Sequence, residues 1–314
     1  MTSTDPAAAA ATSWISQLHS RARGRVALLL GVSVVLTSCA TSQANATQPH
    51  PGSAAAGAST PAAQPSRQVT AKTATRWALS WNSDFSKPGA LKKWIYFSGG
   101  TGWGLNQLQW YDSNNASVDK AGQLVITMDK GGSSHKCWYG PCKYTSARME
   151  TKTTFSQTYG KFEARIKFPP GLGLWPAFWI EGTSVYQVGW PACGEIDIVE
   201  PFNRNPDLVL SYAHATKVRH RAALTVTDPI TAGFHNYAVI WTPKGITWYF
   251  DGHAYSHMNA FKGWGFSHKF FLILNLAIGG SYPGPVSKNI PFPAKMVVDW
   301  VRVYHQVKSS GAAS

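Results

Sequence analysis

The chain has 314 residues, among them 14 Trp, 12 Tyr and 14 Phe, while charged residues make up only 14%. Basic residues outnumber acidic ones by 29 to 15, giving a formal charge of +14. The cations are scattered and no basic run accompanies a nucleic-acid motif. That excludes a nucleic-acid interface as the first reading and leaves a solvated basic surface, or a preference for anionic polymers, as the alternatives. The aromatic surplus suits flat or ring-shaped ligands.

Near the start, Arg21, Arg23 and Arg25 precede an apolar run at 26–36. It has the length of a secretory core segment and is too short to span a bilayer. The following "LTSC", ending at Cys39, resembles the lipobox of bacterial lipoproteins, whose Cys is lipidated after cleavage; "ANA" at 44–46 offers an ordinary cleavage site instead. Residues 1–38 are therefore expected to be a lipoprotein-type signal peptide, with lipidation at Cys39. Export follows, to the cell surface or beyond, with membrane contact only through an N-terminal lipid anchor. Residues 39–74 are Ala, Pro, Ser, Thr, Gln and Gly with few large apolar side chains, a composition that predicts a disordered linker. A single domain, monomeric, is expected over 75–308.

After Trp77 the sequence reads as strands. "KFEARIKF" at 161–168 alternates strictly, with Phe162, Ala164, Ile166 and Phe168 on one face and Lys161, Glu163, Arg165 and Lys167 on the other. "QLVITMD", "HNYAVIWT", "GITWYFDG", "FFLILNLAIGG" and "MVVDWVRVY" behave similarly between Gly, Pro and Asn turns. No sustained helical periodicity or internal repeat is present. The pattern predicts an all-β, antiparallel sandwich of jelly-roll type, with an open concave face long enough for an extended polymer. Of the Cys residues left after Cys39, Cys137 and Cys142 in "CWYGPC" can close a small loop, and a pair with Cys193 is also open.

"GEIDIVE" at 194–200 sets three carboxylates in an otherwise apolar strand. Alternation puts Glu195 and Asp197 on one face and Ile196 and Ile198 on the other; Glu200 joins the first two only if a β-bulge lies around Val199. Three acids on one face repel, so at least one holds a proton beside an ionised neighbour. A proton donor next to a carboxylate is what glycoside cleavage requires, with one acid attacking the anomeric carbon and the other protonating the leaving oxygen. In "GLWPAFWIEG", Trp175, Ala177 and Trp179 share the face opposite Phe178 and Ile180. Two Trp around one small residue form a stacking surface for sugar rings.

Together "GEIDIVE", "YGKFEARIKFPPGLGLWPAFW", "YAVIWTPKGITWYFDG", "LNLAIGGSYPG" and "MVVDWVRVY" resemble successive landmarks of glycoside hydrolase family 16, in particular its laminarinase-like, bulged-strand branch. The resemblance runs in the family's order over most of 77–307. It implies a concanavalin-like jelly roll with an open cleft and cleavage of β-glycosidic bonds with retention. It also implies Glu195 as nucleophile, Glu200 as general acid/base and Asp197 assisting, with Trp175, Trp179, Trp190, His214 and Asn275 binding substrate. No cofactor is required by it; a structural Ca2+ near Asp84 and Asp299 is the one metal it suggests. Glu163 and Arg165 are expected to form a charge pair. The expected substrate is a β-linked polysaccharide, foremost β-1,3-glucan, in endo fashion. Another β-linked polymer, such as mixed-linkage glucan or a plain or sulfated galactan, transglycosylation, or a non-catalytic carbohydrate-binding role are the alternatives.

Overall fold

A computed structural model describes residues 76–201 and 205–307. The expected signal peptide, the lipidation site Cys39 and the linker lie outside the described residues. In chain order the first strands are β1 (Arg76–Asp84), β2 (Ile95–Tyr96), β3 (Gln109–Tyr111), β4 (Ala116–Val118), β5 (Leu124–Lys130), β6 (Lys136–Cys137), β7 (Gly140–Pro141), β8 (Tyr144–Ser146), β9 (Arg148–Glu150) and β10 (Gly160–Lys167). There follow β11 (Leu174–Gly182), β12 (Glu195–Val199), β13 (Leu208–Ala215), β14 (Val218–Thr225), β15 (His235–Thr242), β16 (Gly245–Phe250), β17 (His253–Asn259), β18 (Phe270–Ile278) and β19 (Ala294–Val307). The helical content among the described residues is short turns, including Val185–Val188 between β11 and β12.

Two large sheets carry the fold. One runs β17-β16-β15-β10-β19-β5-β8-β3, with β1 joined to β19 and β4 to β5; the other runs β14-β13-β12-β11-β18-β9-β2. Their ladders are antiparallel apart from β3 with β8, as the jelly-roll sandwich requires.

The alternation read in β10 sets the packing. Phe162, Ala164 and Ile166 are completely buried, and they meet Phe178, Ile180, Leu272 and Leu274 of the other sheet in one core. β18 is buried at every position. Its even-numbered residues 270–278 enter that core, whereas Phe271 and Ile273 pack under Val185, Cys193 and Trp179 on the opposite face. Asn275 continues this second series, so a polar side chain is delivered to the face turned away from the core.

One expectation is altered here. Glu163 does not pair with Arg165: Glu163 lies 2.9 Å from Lys161, and Arg165 lies 2.9 Å from Asp299. All four side chains share the polar face of the sheet, and each acid takes a different cation. Asp84 accepts hydrogen bonds from the Ser86 amide and hydroxyl. Asp299 is engaged by Arg165 and by Gln123. Cys137 and Cys142 form the disulfide, and Cys193 is a buried free thiol.

Candidate active site

Glu195 and Asp197 of β12 and Glu200, just past its end, do share one face, and a bulge is the reason. Ile196 pairs with Ile180 and Asp197 with Trp179, but Val199 then pairs with Phe178, so Ile198 is the extra residue. The bulge sits one position earlier than the sequence suggests. Ile196, Ile198 and Val199 all belong to the core, and Glu200 emerges beside Glu195 and Asp197. A bulge leaves backbone carbonyls without ladder partners, and here side chains supply them. The Trp248 indole N–H donates to the Asp197 carbonyl at 3.0 Å, and the Ser211 hydroxyl donates to that of Ile198 at 2.7 Å. Trp248 comes from the other sheet, so the core itself holds the bulge. At the start of the strand, Gly194 adopts φ +76°, and a β-carbon there would lie 2.7 Å from Phe270. Only glycine meets both conditions without strain.

Neighbouring strands complete the face. Asp197 is opposite Tyr212, and Glu195 is opposite His214. His214 Nε2 lies 3.6 Å from Asp197 Oδ2 and 3.9 Å from Glu195 Oε1, too far for a hydrogen bond. Burial lowers its pKa, helped by Arg219. Trp175 Nε1 donates to Glu200 Oε2 at 3.1 Å, and the Tyr282 hydroxyl donates to Oε1 at 3.2 Å. Trp179 Nε1 donates to Asn275 Oδ1 at 2.8 Å. Trp190 is 40% exposed at the rim, its ring 5.9 Å from that of His214. All eight residues singled out in the sequence for chemistry or binding thus meet on one face.

The electrostatics follow from burial without cations in salt-bridge range. Burial raises Glu200 to about 8, against the hydrogen bonds from Trp175 and Tyr282. Glu195 is pushed well up by burial and by the charges of Glu181 and Glu200, opposed by Arg148 and by hydrogen bonding from Trp190. Asp197 is also pushed well up, by burial and by Glu195, to which it hydrogen-bonds when protonated. The three acids are coupled, and the group holds protons at neutral pH that separate, exposed carboxyls would release.

With this geometry in hand, comparison with known proteins is decisive: a family model described as "Glycosyl hydrolases family 16" matches residues 105–302. The chain belongs to glycoside hydrolase family 16. It is 35% identical over 254 residues to the "Beta-glucanase" of Rhodothermus marinus, covering 75% of this chain and 87% of that protein. It is 36% identical to the "Clotting factor G alpha subunit" of Tachypleus tridentatus, of which it spans only 35% of the length while 75% of this chain is matched. The endo-β-1,3-glucanase structure from Pyrococcus furiosus superposes with a TM-score of 0.70 at 36% identity, covering 74% of this chain and 96% of the other.

This glycoside hydrolase also carries site residues that the sequence reading passed over. Arg148 lies opposite Asn275, its guanidinium 4.8 Å from the ring of Trp179 and 5.3 Å from that of Trp103. Tyr212 precedes His214 by one alternation and bonds the Tyr282 hydroxyl at 2.9 Å; that spacing was a usable signal. Glu181, opposite Glu195, is raised by burial to about 7. Its position at 181, two residues after Trp179, marked it as facing the same way. Glu195, Asp197 and His214 present ligand atoms within 4.8 Å of one another, the one such group among the described residues. An oxygen and imidazole set of this kind suits a divalent cation as well as acid–base work.

Proposed function

We propose that this family 16 hydrolase cleaves β-1,3-linked glucan within the chain by double displacement. The single observation that carries the mechanism is the bulge at Ile198, which brings Glu200, still protonated at neutral pH, to the face of Glu195. Glu195 attacks the anomeric carbon while Glu200 passes its proton to the departing glycosidic oxygen, and the C–O bond breaks. Glu200, now ionised, takes a proton from water, whose oxygen displaces Glu195 from the glycosyl intermediate. Asp197 assists from the same face, while Arg148 and hydrogen bonding from Trp190 favour the ionised form of Glu195 against the burial that raises it. Trp175, Trp179 and Trp190 offer apolar planes to sugar rings, and Asn275 a polar contact on the floor. The choice of β-1,3-glucan is supported by the P. furiosus relative, an endo-β-1,3-glucanase, and the broader choice of a β-glucan by the R. marinus β-glucanase. The export reading is supported by the sequence around Cys39.

The test is hydrolysis of β-1,3-glucan by the purified enzyme, with the product sizes and the anomer of the first-formed sugar followed by NMR. Short oligosaccharides of retained β-configuration, formed by the wild type and abolished in Glu195→Gln, are the expected result. Inverted product, or undiminished hydrolysis in the variant, contradicts it.

A further inference from the structure

The "CWYGPC" segment is not accounted for by the catalytic face, and it presents an exposed tryptophan. β6 and β7 form a two-stranded hairpin closed by the Cys137–Cys142 disulfide. Both cysteines are buried, yet Trp138 between them is 51% exposed. Exposing so large an apolar ring has a cost that a loop tip normally avoids with a polar residue.

The ring is also held in place. Its backbone N–H donates to Gly100 O at 2.9 Å, and its Nε1 donates to Gln107 O at 2.8 Å. The next residue, Tyr139, donates its hydroxyl to Leu108 O at 2.6 Å. Gly102 has φ +80°, and a β-carbon there would stand 2.9 Å from Trp138 Cδ1, so the opposing loop is shaped around the indole. The disulfide, these bonds and the glycine fix a solvent-facing apolar plane in one orientation. Little entropy remains to be lost when a ligand stacks on it.

The same loop continues into the cleft. Gln107, whose carbonyl holds the Trp138 indole, accepts at its side chain from Gln109 and Tyr111. Tyr111 accepts from Asn275, which bonds Trp179. Trp103, next to Gly102, lies 5.3 Å from Tyr111 and from the Arg148 guanidinium that covers Trp179. Trp179, Arg148 and Trp103 therefore form a contact series leading from the acids past β9, and Gly102, next to Trp103, packs against Trp138.

We infer that Trp138 is a sugar-stacking platform that lengthens the cleft at its β9 end and holds a glucosyl unit remote from the bond being cut. This rests on the glucan reading above, and it adds a length preference: chains long enough to reach the platform bind more tightly than short ones. The measurement is kcat and KM for wild type, Trp138→Ala and Trp138→Phe on a ladder of β-1,3-gluco-oligosaccharides and on the polymer. In Trp138→Ala, KM for the longest chains is expected to rise roughly 5- to 10-fold more than KM for the shortest cleaved ones. Trp138→Phe, which keeps a ring without the N–H, is expected to recover most of that difference, separating stacking from loop anchoring. The double variant Cys137→Ser/Cys142→Ser is expected to fall between the two. An equal change at every chain length, or no change, overturns the platform while leaving the hydrolase reading intact. No cleavage of β-1,3-glucan by the wild type overturns both.

Discussion

Strands β10 and β12 follow the same two-residue alternation and treat their charges in opposite ways. In β10, Lys161, Glu163 and Arg165 lie on the polar face of the sheet, and each has an opposite charge at 2.9 Å. In β12, Glu195, Asp197 and Glu200 are largely buried, and the ion-pair-range neighbour recorded for them is His214, held towards its neutral form. The first arrangement is what a stable surface calls for and contributes little either way. The second is costly to the fold, because a buried carboxyl either ionises without a counter-charge or keeps its proton. Keeping the proton is the property a general acid needs, so the strain on stability and the capacity for catalysis share one origin.

The contrast breaks most completely if the parity after the bulge is shifted. Inserting one Ala between Val199 and Glu200 adds a residue after the bulge at Ile198 and turns Glu200 towards the core. The expected outcome is loss of all measurable glucan hydrolysis together with a lower melting temperature, read by a reducing-sugar assay and circular dichroism. A folded, active insertion variant would show that strand parity does not matter.

A smaller effect compares the same exchange on the two strands. Folding raises the Glu200 carboxyl from an ordinary 4.5 to about 8, so the folded state binds a proton that the unfolded chain releases between those values. Stability associated with that proton is fully present below about pH 4.5 and is lost as pH rises towards 8. Glu200→Gln carries no such loss. Its melting temperature is expected to match the wild type near pH 4.5 and to exceed it by several degrees at pH 8. Glu163→Gln, which only breaks the pair with Lys161, is expected to lower stability by under about 1 kcal/mol. Scanning calorimetry across pH checks the opposite signs.

What the sequence made legible follows the same division. β10, β11 and β18 could be read because alternation alone decides which side chains are buried, and Trp175 and Trp179 fell on the correct face for that reason. The three acids were found through their parity, which even required a bulge. The bulge was placed at Val199 and not Ile198, because what fixes it, the Trp248 N–H and Ser211 hydroxyl on the freed carbonyls, comes from 51 and 13 residues away. Arg148 and Tyr282 were missed for a related reason. Each is unremarkable in its own segment and acquires meaning only through a cross-strand or loop neighbour. The expected pairing of Glu163 with Arg165 failed because Lys161 and Asp299 offer each residue another partner on that face.

The most direct test of the central claim, that burial beside Glu195 keeps Glu200 protonated at neutral pH, is a carbon-13 carboxyl NMR titration of selectively labelled enzyme. The Glu200 resonance is assigned by its absence in Glu200→Gln. A midpoint near 8, coinciding with the alkaline limb of kcat/KM, is the predicted result. A midpoint near 4.5, as for a solvent-exposed glutamate, would contradict it.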